Sequence, residues 1–227
     1  MPLKIAKMDS PDHQILIPRV VAKAYQRLNI PVEFIELPGK RALEESSTGV
    51  IDGELARVFE IGIAYPTLIR IPTPIYWFEP TVFSKKIRFK VKGWNSLKSY
   101  EIGTMRGMRF AEIGLSGFKN VQIVENYTSL FQMLNADRVD IVVAADLNGL
   151  YELKKLGFDT ISPLSPPLER ILAYHYLHEK HRNIVQKLDQ VFQEMQEKGE
   201  IEQIRKDFLS EIIENKIELN THKHWDP

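Results

Sequence analysis

The stretch Leu130-Phe131-Gln132-Met133-Leu134-Asn135-Ala136-Asp137-Arg138-Val139-Asp140-Ile141-Val142-Val143-Ala144-Ala145-Asp146 decides how the chain is read. Its first apolar residues recur at helical spacing; its last ones, Ile141 to Ala145, form the unbroken run of a buried strand. Helix, turn and strand in that order point to α/β layering. Outward from it the same rhythm predicts a strand at 100–105, helix 107–116, strand 120–125, helix 127–136, strand 139–145 and helix 147–156. Extended segments follow at 158–164 and 170–176.

An earlier series has the same form: strand 3–8, helix to about 28, strand 32–37, helix 39–47 and a strand near 50–55. The first helix begins no later than Pro18 and lines Val20, Val21, Ala24, Tyr25 and Leu28 on one face. Between the two series lie Pro66, Pro72, Pro74 and Pro80, and Ile75 to Lys86 reads as one extended strand carrying Tyr76, Trp77, Phe78 and Phe83. Proline confines such a strand to an edge or a crossing. Because the rhythm then restarts, a second lobe is expected.

Past His178 the pattern is helical, with Ile184, Leu188, Val191, Phe192 and Met195 as one stripe, a stop at Gly199, then Ile201, Ile204, Phe208 and Ile212. These stripes need a partner, and the first lobe supplies it. The expected division is residues 1–84 plus 178–227 as a discontinuous lobe, and 85–177 as the other. The tail Leu219 to Pro227, with His222, His224 and Trp225, shows no periodicity and is expected to fray.

The 227 residues carry 30 basic and 30 acidic side chains, so no net field attracts nucleic acid or an anionic membrane. The absence of cysteine excludes disulfides, thiolate zinc sites, iron–sulfur clusters and a cysteine nucleophile. No run approaches the roughly 18–20 apolar residues of a membrane span. Met1-Pro2-Leu3 leads directly into a strand, the start expected of a mature or shortened chain whose signal peptide has been removed, and equally open to a native cytosolic protein.

Four segments resemble the extracellular solute-binding proteins of amino-acid uptake transporters. Leu37-Pro38-Gly39-Lys40-Arg41-Ala42-Leu43 with Gly49-Val50-Ile51-Asp52-Gly53 is similar to the family's Pro-x-x-Arg-Ala-Leu block and Gly-x-x-Asp-Gly turn. Trp94 to Gly103 resembles the opening of the second lobe. Leu130 to Val143 resembles its helix, turn and buried strand, and Leu188 to Phe208 its closing helices. Gly39 replaces a frequent aromatic, and Ala136-Asp137 a glycine turn. The resemblance implies an α/β, two-lobed type 2 periplasmic-binding (venus-flytrap) fold with two crossing hinge strands. It implies a periplasmic monomer that needs no cofactor or metal and delivers a small solute to an ABC-transporter permease.

Ligand groups in such a fold lie after strands and at helix starts. Arg106, with Thr104 and Arg109, would hold a carboxylate where a strand meets a helix, or is a plain surface arginine. Asp146 follows the buried strand; the resemblance implies that it receives an ammonium group, and a helix-capping aspartate is the alternative. Arg57 and Glu54 pair with the ligand or with each other. Arg41, Trp77, Tyr76 and Glu79 complete the candidates, the aromatics being equally suited to the core. His175, His178 and His181 recur at three-residue spacing without a carboxylate cluster, and no nucleophile elbow, phosphate loop or dinucleotide fingerprint is present. The expected function is therefore binding without catalysis; a sensory domain of a receptor and an enzyme on the same fold are the rivals.

Overall fold

The computed structural model describes residues 1–214, and the expectation for Leu219 to Pro227 falls outside them. From the N-terminus β1 (Leu3–Lys7) leads through one π-helical turn (Asp12–Leu16) into α1 (Ile17–Arg27), β2 (Val32–Glu36), α2 (Gly39–Ser47) and β3 (Gly53–Val58). The short α3 (Ile61–Ala64), β4 (Leu68–Arg70) and β5 (Tyr76–Phe78) complete this series. The other comprises β6 (Pro80–Ser84), β7 (Ile102–Met105), α4 (Arg109–Gly114), β8 (Val121–Val124), α5 (Tyr127–Asn135), β9 (Ile141–Ala145), α6 (Asp146–Leu156) and β10 (Ser162–Pro163). The chain returns in β11 (Ile171–His178) and runs on through α7 (Arg182–Glu197) and α8 (Glu200–Ile213). None of the described helices is long and apolar enough to cross a membrane.

Two sheets result, each with its own core. The first has the order β2-β1-β3-β11-β4, with β5 also on β11; the second has the order β10-β6-β9-β7-β8. β1 runs parallel to β2 and β3, while β11 is antiparallel to β3, β4 and β5. β9, apolar at every position, is buried throughout and sits between antiparallel β6 and parallel β7. That is the place a strand without a polar face requires. The stripes of α7 and α8 bury Leu188, Phe192, Phe208 and Ile212 against the first core, as their spacing demands. Each side chain so buried contributes roughly 2–3 kcal/mol.

The division between lobes differs from the expected one. Ile75 to Lys86 is not one strand: it breaks at Glu79, with β5 hydrogen-bonded into the first sheet and β6 into the second. β11, expected in the second lobe, pairs with β3 in the first. The crossings therefore lie at Glu79 and within 164–170, not at 84 and 178. Strand type is written locally, but strand partners are not. Likewise α3 and β4 went unpredicted among the prolines of that region.

Gly149 in α6 sits against the edge-to-face pair Phe83 and Phe131, whose centroids are 5.3 Å apart. A Cβ there would come within 2.5 Å of the Phe83 ring, so the helix accepts a glycine costing about 1 kcal/mol in propensity. Gly199 takes φ +69° between α7 and α8, the left-handed turn a stop at that position needs.

His175 lies wholly inside the first core. Its Nδ1 faces the Leu55 carbonyl at 3.2 Å and its Nε2 the Tyr25 hydroxyl at 2.9 Å, which fixes a neutral ring with the proton on Nδ1. Burial pushes its pKa down to about 4 from an ordinary 6.5. Between those values the unfolded chain holds the proton and the folded chain does not, so stability rises with pH across this window. Urea unfolding should show a loss of up to roughly 3 kcal/mol from this group as pH falls from 6.5 to 4, with a flatter slope in His175→Gln. Equal slopes in both proteins would contradict the assignment.

Candidate functional site between the lobes

The segment that follows β1 in the first lobe and the one that follows β9 in the second meet across the crossings. Here the lobes touch through polar groups. The Asp12 backbone N–H donates to Asn148 Oδ1 at 3.0 Å, and Asn148 Nδ2 donates to Asp12 Oδ1 at 3.0 Å and to the Tyr127 oxygen at 3.3 Å. Asp12 and His13 belong to the π-helical turn after β1, Asn148 to the first turn of α6, and Tyr127 opens α5. His13 is buried, and desolvation lowers its pKa to about 4 against the opposing charge of Asp12. Aromatic contact also bridges the lobes: the Phe78 and Phe110 rings lie 5.4 Å apart.

At the first crossing Asp146 and Glu79 exchange bonds. The Glu79 N–H donates to Asp146 Oδ1 at 3.0 Å, and the Asp146 N–H to the Glu79 carbonyl at 3.0 Å. From α8, Arg205 reaches Asp146 Oδ2 at 2.5 Å and the Trp77 carbonyl at 2.9 Å. Burial raises the Asp146 carboxyl above the usual range, with Arg205 and the Glu79 N–H opposing it. Trp77 turns away from the cleft, its ring between the guanidinium groups of Arg205 at 4.7 Å and Arg170 at 5.6 Å; Arg170 in turn pairs with Glu79 at 2.7 Å.

Two cores, two crossings and a polar seam between them are the architecture of a hinged clamp. The GluR0 ligand-binding core, crystallised with L-glutamate, superposes with a TM-score of 0.79 at 12% identity, covering 92% of this chain and 98% of that one. A histidine kinase sensor domain similar to periplasmic binding proteins gives 0.73 at 13% identity, over 92% and 96% of the two chains. An amino-acid ABC-transporter substrate-binding protein of Streptococcus pneumoniae, AbpA, bound to L-arginine, gives 0.72 at 14% identity, over 93% and 96%. The chain has the type 2 periplasmic-binding, venus-flytrap fold. No family model matches it. An uncharacterised protein of Shewanella oneidensis is 25% identical over 193 residues, 82% of this chain and 73% of that protein.

Within this flytrap the residues singled out from sequence are scattered. Glu54 and Arg57 meet each other: Nε to carboxylate is 2.7 Å, with the acid only 1% exposed and also bonded by Ser46 at 2.7 Å. Burial raises the Glu54 carboxyl, the Arg57 charge opposing it. Arg57 further donates to the Gly39 carbonyl at 3.1 Å and, through Nη1, to the Met8 sulfur at 3.0 Å. Arg41 is 66% exposed and pairs along α2 with Glu45. Arg106 is 67% exposed and pairs with Glu125 at 2.8 Å, while Arg109 lies exposed near Glu112. At the same strand-to-helix junction the Gly107 N–H donates to the Glu112 carboxylate at 3.2 Å. Thr104 is buried against the Met108 sulfur.

Tyr76 is buried, and the Arg205 guanidinium lies 5.7 Å from its ring as well as 4.7 Å from that of Trp77. The three spaced histidines separate: His175 is in the core, His178 receives the Lys180 N–H at 3.3 Å, and His181 bonds Asp52 at 2.7 Å. Among the described residues no three His, Cys, Asp or Glu side chains converge as a metal site. Sequence reasoning missed Asp12, His13, Tyr127, Asn148 and Arg205. Asp12 could have been found by the same strand-end logic that found Asp146; the rest carry no local signal.

Removing Arg205 as Arg205→Met should cost roughly 3 kcal/mol, because the largely buried Asp146 carboxylate loses its counter-charge. The double variant Arg205→Met/Asp146→Asn should recover much of this, since no charge is then left unpaired. Chemical denaturation measures both; a neutral single variant would refute the clamp.

Proposed function

We propose that this flytrap captures a small polar solute, an amino acid or related zwitterion, between its lobes by hinge closure and performs no covalent chemistry. The observation that carries the reading is the polar seam: Asp12 of one lobe meets Asn148 of the other by two hydrogen bonds, at strand ends where an α/β sheet offers its ligand site. Contacts from both lobes to one solute favour the closed form over the open one. Arg57 is the anchor for a solute carboxylate. Its Nη1 is satisfied by a thioether, a weak acceptor that a carboxylate displaces, while Glu54 holds the guanidinium in place.

Delivery of the solute to the membrane permease of an ABC transporter, outside the cytoplasm and as a monomer, is the role proposed for closure. The amino-acid ligands of the similar structures support the solute class. A sensory role is the second reading, and one contact favours it. Arg205 ties α8 to the junction at Asp146, so that any rotation of the second lobe is felt by that helix. The sensor domain among the similar structures is in keeping with it.

Thermal-shift screening of amino acids, small peptides and organic acids should find solutes that raise the midpoint of unfolding. At a hundredfold excess over Kd the gain is about 2.7 kcal/mol. Failure of every such solute to stabilise the protein would overturn solute capture.

A further inference from the structure

Each Asp146 oxygen already accepts a bond, one from the Glu79 N–H and one from Arg205, whose charge also balances the carboxylate. The Asp12 carboxylate is 5% exposed, and Oδ1 accepts three bonds, from Ser10 Oγ at 2.6 Å, the His13 N–H at 2.9 Å and Asn148 Nδ2 at 3.0 Å. None of these bonds goes to Oδ2. Beside this carboxylate lies the hydroxyl of Tyr76, a side chain only 3% exposed whose buried oxygen faces Asp12 but meets no partner at full hydrogen-bond geometry among the described residues. The Tyr127 oxygen, facing the same acid, receives only the 3.3 Å bond from Asn148.

A buried hydroxyl held short of a well-formed hydrogen bond costs about 1–3 kcal/mol, and the acceptor this phenol faces is the Asp12 carboxylate. The surrounding rings form an aromatic wall: Tyr76 and Phe78 stack at 6.3 Å, Phe78 meets Phe110 at 5.4 Å, and the Arg205 guanidinium already lies 5.7 Å from the Tyr76 ring.

We infer that Asp12 Oδ2 and the phenol oxygens of Tyr76 and Tyr127 form the seat for a primary ammonium group of the solute. Three acceptors meet the three donors of an ammonium. The inference rests on the solute-capture reading and narrows it to amines. It also gives Asp12 a double role, since Oδ1 holds Asn148 of the second lobe when the clamp closes, while Oδ2 holds the solute.

The test uses the full chain, with the common α-amino acids, their N-acetyl derivatives, and acetate, succinate and 2-oxoglutarate as probes in thermal shift and calorimetric titration. The amino acid that binds should lose its binding on N-acetylation. Tyr76→Phe should weaken it about tenfold and Asp12→Asn about a hundredfold. Tyr76→Phe also answers a purely structural role for the hydroxyl: the free variant should melt at or above the wild-type temperature, so that weaker binding cannot be ascribed to misfolding. Equal binding of the N-acetyl form, or unchanged affinity in both variants, would overturn the ammonium seat and leave solute capture standing. Binding by none of the probes would remove both.

Discussion

Asp146 and Glu79 are joined twice where the chain passes between lobes, once backbone to carboxylate and once backbone to carbonyl, and Arg205 closes the junction from α8. The rest of the arrangement follows from this point. Glu79 is the single residue between β5 of one sheet and β6 of the other, and Asp146 is where β9 becomes α6. Bonding them fixes the end of the buried strand against the crossing. A largely buried ion pair stabilises little compared with an apolar replacement, but is costly to break by halves. Its contribution is therefore to geometry.

That geometry explains why Asn148 meets Asp12. Two residues from the fixed start of α6, Asn148 is carried to the first lobe, and Leu147 and Tyr151 of the same helix pack into the first core. α6 thus belongs to the second sheet by connection and to the seam by packing. Arg57 and Glu54, lying deeper in the first lobe, are held independently of that seam. The region between the lobes accordingly has a part assembled within one lobe, Glu54 with Arg57, and a part to which both lobes contribute, Asp12 with Asn148, as the proposed solute capture requires.

The alternation of strands and helices was legible because hydrophobic period is a local property, and so were the buried stripes of α7 and α8. Partnership was less so. The tract Ile75 to Lys86 reads as one strand because nothing in it marks the change of sheet at Glu79, and β11 reads with the second lobe because it follows it. In the site, sequence identified Asp146 by its place at the end of a strand but not Arg205, which is distant along the chain and appears locally as one more surface arginine of an amphipathic helix. Arg57 and Glu54 were readable as a pair because they are three residues apart. Arg106, at an equally suggestive helix start, is turned outward by Glu125.

Lobe closure is the central claim, and interlobe distance measures it most directly. The chain has no cysteine, so cysteines introduced at exposed Lys40 and Lys119 would be the only attachment points for a pair of spin labels. Pulsed electron–electron resonance should give a distance distribution that shifts and narrows when an amino-acid mixture is added. A distribution unchanged by any mixture that binds the protein would contradict a clamp that closes on its solute.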